Sequence, residues 1–410
     1  MTDVSVLNVN LYGDTIGTLT HVGGDRTLFA FTERYIEDET RPTLSLSFQD
    51  DLGGLITEHR PYRKSVMPFF SNLLPEGHMR KYLAERAGVN HEREFHLLWA
   101  LGRDLPGAIT ITSADSETWS ENASDIRHGD DKPLHQNALQ FSLAGVQLKF
   151  SAIEETSGGL TIPASGAGGA WIVKLPSRDF DGVPENEFSM MSLASMIGMN
   201  VPRIDLVDID SIHNVPDGIE RLGGNAFVIE RFDRLSNGQR VHIEDFAQVF
   251  GVYAENKYKK ASMRTIAHVI ASEGSSHDLI EFVRRLIFSM IIGNGDMHLK
   301  NWSLIYPNRR HVSLAPAYDF VSTIPYLPND GTGLKISRSK AFADFNLDEL
   351  IHFAVKAAIP QKMVIDVARE TIENFHAIWG SEAANLPMSN SVRTAIEKHL
   401  KTVPIVAELS

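Results

Sequence analysis

Seven apolar residues recur at three- and four-residue spacing in one stretch of the chain: Leu279, Phe282, Val283, Leu286, Ile287, Met290 and Ile291. That period puts them on one face of a helix, and so uniformly apolar a face must be buried in a core. The helix is predicted to end at Gly293, because the left-handed residue that closes a helix costs least when it has no Cβ. Directly after it comes Gly293-Asn294-Gly295-Asp296-Met297-His298-Leu299-Lys300-Asn301, a polar loop on a rigid support, which is how catalytic groups are commonly presented. Residues 302–306 and 311–315 then flank Pro307-Asn308-Arg309-Arg310 and are predicted to pair as antiparallel strands across a four-residue turn. This pairing returns Tyr318-Asp319 to the neighbourhood of Asp296 and Asn301.

A carboxylate, a carboxamide and a second carboxylate therefore meet at one end of a hairpin. Oxygen ligands of this kind suit Mg²⁺ carrying the phosphates of a nucleotide. In protein kinases an Asp accepts the substrate hydroxyl's proton, an Asn five positions later holds a metal, and a later Asp holds the metal that bridges the phosphates. Asp296, Asn301 and Asp319 have that order and spacing. Each alone would read as a turn or a cap; the three together point to an ATP- and Mg²⁺-dependent phosphotransferase.

Upstream residues extend the pattern. Lys174 lies in the apolar run Trp171-Ile172-Val173-Lys174-Leu175-Pro176, where an ammonium is costly unless paired, and a lysine on a lobe strand is how kinases hold phosphates. The helix expected after it carries Glu185 and Glu187, either of which can supply the partner. The segment Phe227-Val228-Ile229-Glu230-Arg231-Phe232-Asp233-Arg234 passes from apolar to polar, so its backbone can meet an adenine edge and Asp233 a ribose. Ser142-Leu143-Ala144-Gly145-Val146-Gln147-Leu148-Lys149 combines small residues with a lysine, which lets backbone N–H groups approach phosphates. It matches neither the G-x-x-x-x-G-K-[ST] nor the G-x-G-x-x-G spacing. Gly166-Ala167-Gly168-Gly169 is read as a loop between strands.

Composition narrows the alternatives. There is no cysteine, which excludes disulfides, thiolate zinc sites and a cysteine nucleophile. His91 and His96 are five apart, off the spacing that puts two ligands on one helix face, and are read as surface residues. No G-x-S-x-G elbow occurs. A net charge of −13 opposes broad attraction to nucleic acid. No apolar run approaches the roughly 18 residues that span a bilayer, and no basic, apolar leader opens the sequence, so a cytoplasmic protein without membrane contact is expected.

The 410 residues and 43% hydrophobic content suit two domains or a two-lobed one. Residues 1–112 are predicted as a first unit of α/β type, with strands near 4–9 and 44–48 and helix from 67 to 83. Residues 113–137 are poor in apolar side chains and read as a connector. Residues 138–235 form a β-rich nucleotide-binding part, with a helix at 185–197 and strands at 203–208 and 226–231. Residues 236–410 form a mostly helical lobe that holds the catalytic loop. The fold class expected is α+β, two-lobed and protein-kinase-like, β-rich first and α-helical after.

With these residues together the chain resembles, over nearly its whole length, the HipA family of bacterial serine/threonine kinase toxins. Phe69-Phe70-Ser71-Asn72-Leu73-Leu74-Pro75, Leu101-Gly102-Arg103-Asp104 and Gly107-Ala108 are similar to the family's N-terminal subdomain. The 142–149 segment, Ile172-Val173-Lys174, the 228–234 segment, the 293–301 loop and Ala315-Pro316-Ala317-Tyr318-Asp319 resemble its core motifs in order. The resemblance implies Asp296 as the catalytic residue and Asn301 and Asp319 as Mg²⁺ ligands. It implies nucleotide contacts from Ala144, Gly145, Val146, Gln147, Leu148, Lys149, Lys174, Glu230, Arg231, Phe232, Asp233, His298, Lys300, Asn301, Tyr318 and Asp319. Ser142 is implied as a self-phosphorylation site. It further implies a small helix-turn-helix antitoxin, HipB-like, which contacts operator DNA on the kinase's behalf, and a protein substrate. Known targets of the family include aminoacyl-tRNA synthetases, notably glutamyl-tRNA synthetase. Gly295 and Met297 depart from common family residues without removing a functional atom. The rival functions are a kinase for a small molecule or lipid headgroup, and a nucleotide-binding co-regulator acting only through a DNA-binding partner.

Overall fold

The computed structural model describes residues 5–23, 25–114, 148–155, 159–163, 168–177, 179–215 and 223–409. Ser142, Ala144, Gly145, Val146 and Gln147 lie outside them.

The first unit is built on an antiparallel sheet of β1 (Val6–Leu11), β2 (Asp14–Val22), β3 (Arg26–Phe31), β4 (Tyr62–Arg63) and β5 (Ile109–Ser113), in the order β4-β3-β2-β1-β5. Leu7, Val9, Leu11, Ile109 and Ile111 alternate inward and pack with Phe29, Phe48, Phe69, Phe70 and Leu98 in a core of their own. The α/β expectation is corrected by this pairing: parallel strands need long crossovers, and β1 to β3 follow one another through tight turns. The strand expected at 44–48 is instead a single 3₁₀ turn, Leu46–Phe48, capped by Ser45. The helix expected from 67 to 83 divides into Pro68–Ser71 and Gly77–Arg86. Pro75 explains the break, since proline lacks an N–H and drives the residue before it out of helical geometry.

The second sheet contains β6 (Lys149–Glu154), β7 (Leu160–Thr161), β8 (Trp171–Lys174), β9 (Ile204–Asp208), β10 (Ile212–His213) and β11 (Asn225–Glu230), ordered β10-β7-β6-β8-β11-β9. Only β10 and β7 run parallel. Register sets Lys149 and Phe227 opposite Lys174 on its two sides, which puts two ammonium groups at the same end of adjacent strands. Gly169 has φ +118°, and a Cβ there would lie 2.0 Å from the Ala152 carbonyl oxygen; glycine is required because the loop crosses β6 at backbone contact. The helix Val183–Met196 packs on β9 and β11.

The third part surrounds the helix Ser276–Ile291, whose predicted apolar face is wholly buried and whose start is closed by reciprocal Ser275 and Asp278 capping bonds. Helices Met263–Glu273, Leu347–Ala357, Gln361–Glu382, Asn390–Leu400 and Pro404–Leu409 complete the lobe. The predicted hairpin forms as β13 (Ser303–Tyr306) and β14 (Ser313–Leu314), with Leu304 opposite Leu314; β12 (His242–Asp245), not foreseen, adds to its other edge. Among the described residues no helix is long and apolar enough to cross a membrane. The fold is α+β and two-lobed, with the N-terminal unit set against both lobes.

Candidate active site

Asp319 follows the hairpin on a segment tied down at each step. Arg285 donates to the Ala315 carbonyl at 2.6 Å, the Ala317 N–H donates to the Asn200 carbonyl at 2.8 Å, and the Tyr318 hydroxyl meets Ser303 Oγ at 2.5 Å. Asp319 itself has φ +57°, a left-handed conformation that costs a side-chain-bearing residue about 1 kcal/mol or more and persists only where its surroundings impose it. Its carboxylate contacts the Lys174 ammonium and lies 3.3 Å from Lys149 Nζ. The like-charged lysines imposed by the strand register are thus reconciled by the acid between them. Burial opposes ionisation of Asp319, but Lys149 and Lys174 outweigh it and hold the carboxyl far below its ordinary range.

Lys174 is buried and pairs also with Glu187, on the helix Val183–Met196. The choice left open by sequence is therefore made by packing: Glu187 faces the lysine, while Glu185 accepts from Asn225 at 3.0 Å. Burial pulls the Lys174 ammonium towards neutrality, and the two carboxylates more than offset it, so its pKa is raised and the charge retained.

The catalytic loop hangs from the end of the helix Ser276–Ile291. Gly293 has φ +67°, and a Cβ would meet Ile324 at 2.6 Å. Thr323 Oγ1 accepts the Gly295 N–H at 2.7 Å, and Asn294 Oδ1 accepts the Asp296 N–H at 3.0 Å. Asn301 Nδ2 donates to the Asp296 carbonyl at 2.8 Å, which fixes the carboxamide, so that Oδ1 is the atom that could serve a metal. The Asp296 side chain is 52% exposed and receives a 2.6 Å hydrogen bond from the Tyr258 hydroxyl. His298 lies behind it, its ring 5.0 Å from that of Tyr258. Burial pushes the imidazole down to about 4, against the pull of Asp296, so it is neutral at pH 7.

At the junction between lobes, the Glu230 N–H donates to the Arg203 carbonyl at 2.8 Å and the Arg231 N–H to the Ala170 carbonyl at 2.7 Å. Of the three amides from 230 to 232, Phe232's alone has no partner among the described residues; its ring lies 5.8 Å from that of Tyr318. Four of the residues expected at the nucleotide have partners within the protein. Arg231 and Asp233 are buried and bonded to each other at 3.0 Å; Arg231 also pairs with Asp104 at 3.2 Å, and Asp233 accepts the Gly107 N–H at 2.8 Å. The Asp233 carboxylate, expected to reach a ribose, is spent on this joint with the N-terminal unit. Lys300 is likewise committed, to the Asn72 carbonyl at 3.0 Å and Glu76 at 3.1 Å. Leu148 contributes its side chain to the sheet's core and its carbonyl to Leu175.

Sequence reading missed Tyr258, Thr323 and Asp104. Tyr258 bears on Asp296 across 38 positions and Thr323 on Gly295 across 28, where no spacing rule reaches; Asp104 sat in a quoted motif without an assigned role. The donor chemistry fits Mg²⁺ with a nucleotide. No group of three or more His, Cys, Asp or Glu suited to a metal occurs among the described residues, but Mg²⁺ with ATP needs only one or two protein oxygens, the phosphates and water supplying the rest. Asp319 and Asn301 Oδ1 could supply those oxygens, with Lys149 and Lys174 as the cations beside Asp319.

A strand lysine paired with a helix glutamate in a β-rich lobe, above a helical lobe carrying Asp296, Asn301 and Asp319, defines a protein-kinase-like α+β protein with an added N-terminal unit. Residues 7–112 match the HipA N-terminal domain and residues 141–379 the HipA-like C-terminal domain, and the chain belongs to the HipA family. It is 55% identical to "Putative kinase Y4dM" of Sinorhizobium fredii over the whole of both chains. It is 26% identical to the serine/threonine-protein kinase toxin HipA of Shewanella oneidensis, covering 74% of this chain and 72% of that one. A solved structure described as the Shewanella oneidensis toxin–antitoxin system HipA, HipB and its operator DNA complex shares the fold, with a TM-score of 0.72 at 21% identity, over 98% of this chain and 99% of that chain.

Proposed function

We propose that this chain is a serine/threonine protein kinase that transfers the γ-phosphoryl group of ATP to a protein hydroxyl, acting as the toxin of a toxin–antitoxin pair. The observation that carries the reading is the convergence of the Lys174–Glu187 pair with Asp319, beside a catalytic loop in which Asn301 is bonded to the Asp296 backbone. Asp296 presents a half-exposed carboxylate that takes the proton of the acceptor hydroxyl, held in orientation by Tyr258. Lys149 and Lys174 draw the phosphates towards the cleft, and the Phe232 amide meets the adenine edge. Asp319 and Asn301 would hold Mg²⁺, which would supply charge neutralisation for the phosphates.

The chain's negative charge supports a division of labour in which a small HipB-like helix-turn-helix protein contacts operator DNA and restrains the kinase; the Shewanella oneidensis structural neighbour is itself a complex of HipA with HipB and operator DNA. The substrate class proposed is a translation protein such as an aminoacyl-tRNA synthetase, and a second target is the chain's own Ser142. Purified protein incubated with γ-labelled ATP, Mg²⁺ and lysate tests the reading: a labelled protein band is expected, a labelled small molecule would favour the metabolite-kinase alternative, and no transfer would favour the co-regulator. Asp296→Asn should reduce single-turnover transfer below ~10% while ATP still binds; greater residual transfer would remove Asp296 from this role. Expression should slow growth unless Asp296 is replaced or the partner is co-expressed.

A further inference from the structure

The surface beside Asp296 has the opposite charge to the rest of the molecule. Residues 253–265 and 330–341 carry seven basic side chains against two acidic ones, a local charge of +5 in a chain of −13. The fold makes them one surface. The Met263 N–H donates to the Lys335 carbonyl at 2.9 Å, Ser262 and Lys335 form a parallel bridge, and Lys340 Nζ donates to the Tyr258 carbonyl at 3.1 Å. The same surface abuts the catalytic loop: a Cβ on Gly295 would lie 2.9 Å from the Gly331 carbonyl oxygen, and the Tyr258 hydroxyl reaches Asp296.

Internal pairing consumes two of the seven: Lys257 binds Glu76, and Arg338 binds Asp348 and Glu349. Lys259, Lys260, Arg264, Lys335 and Lys340 have no carboxylate within ion-pair distance among the described residues, and all but the half-buried Arg264 are exposed. Such crowding of unpaired like charge costs free energy in the isolated protein. Burial and the nearby Lys335 together lower the Lys340 pKa. The cost is recovered when an anionic partner docks.

We propose that this rim docks an acidic segment of the protein substrate, next to the hydroxyl that is phosphorylated. The proposal rests on the kinase reading, since it is Asp296 that gives the rim a reaction to serve. A short acidic segment fits better than nucleic acid. Screening confines each exposed charge to about 8–10 Å, so a peptide senses only the rim, whereas a polynucleotide running past it meets a surface whose remaining charge is strongly negative.

Fluorescence anisotropy on the full chain, without ATP, separates this from the kinase reading. The probes are a labelled peptide with Glu flanking a central Ser, its Gln counterpart, and a twelve-nucleotide single strand. The Glu peptide should bind at least tenfold tighter than the Gln peptide at 25 mM salt, with the gap narrowing at 200 mM. Lys259→Glu, Lys260→Glu and Lys335→Glu combined should erase the preference without changing the melting temperature, and should leave phosphorylation of the Gln peptide unchanged. Equal binding of the two peptides, or a preference that survives the triple variant, would overturn the proposal. So would tighter binding of the oligonucleotide that the triple variant abolishes. Absence of phosphoryl transfer to any protein, with the Glu preference intact, would refute the kinase reading while leaving the docking surface standing.

Discussion

Asp104→Asn should weaken the molecule at the joint between the N-terminal unit and the lobe junction. The Asp104 carboxylate is 6% exposed, lies 3.2 Å from Arg231 and 2.8 Å from Arg234, and accepts the Gly168 N–H at 2.7 Å. Burial opposes its charge, yet Arg231, Arg234 and the Gly168 amide take its pKa from 3.8 to about 2. At about 1.36 kcal/mol per pKa unit that depression is worth about 2.5 kcal/mol, and removing one partner of a buried pair costs about 3–5 kcal/mol. Asparagine keeps one acceptor oxygen, so we expect a loss of about 2–3 kcal/mol in urea unfolding followed by tryptophan fluorescence at pH 7. Because the folded pKa is depressed, the stabilisation is complete above 3.8 and is lost as pH falls through about 2. The difference between wild type and variant should therefore be flat from pH 5 to 8 and shrink only in strong acid. Phe232 sits between the residues this joint holds, so calorimetric ATP affinity should fall several-fold as well. A stability change under ~0.5 kcal/mol, or a difference that varies between pH 5 and 8, would refute the account.

Asp319→Ala should lower Mg²⁺-ATP affinity at least tenfold, since it deletes a charged ligand and leaves Lys174 held by Glu187 alone; equal calorimetric affinity at saturating Mg²⁺ would contradict the metal assignment. Tyr258→Phe removes only the hydrogen bond that orients Asp296, so kcat should fall about tenfold with KM for ATP unchanged; an unaltered kcat would make Tyr258 a bystander. Mass spectrometry should find phosphate on Ser142 in the wild-type protein and none in the Asp296→Asn variant. The isolated phosphorylated form should bind ATP far more weakly, because nearly two added negative charges share the loop with the nucleotide's own phosphates; affinity within twofold of the unmodified form would end the self-inactivation idea.

The sequence by itself determined the elements whose information is local. The helix Ser276–Ile291, the closure at Gly293 and the hairpin that follows were readable because apolar period, a glycine cap and turn length act over a few residues. They brought Asp296, Asn301 and Asp319 into consideration together. Only the tertiary structure decided what lies across the chain from them. Glu187 rather than Glu185 meets Lys174 because helix packing sets which of two neighbouring carboxylates faces the sheet. Tyr258 reaches Asp296 across 38 positions, and Asp104 takes up Arg231 across 127. Asp233 and Lys300, suited by type to a nucleotide, also fasten the N-terminal unit to the lobes. A charged residue's type and neighbours in sequence say what it can bind; which partner it meets is set by long-range packing, where burying a charge is tolerated only beside its opposite.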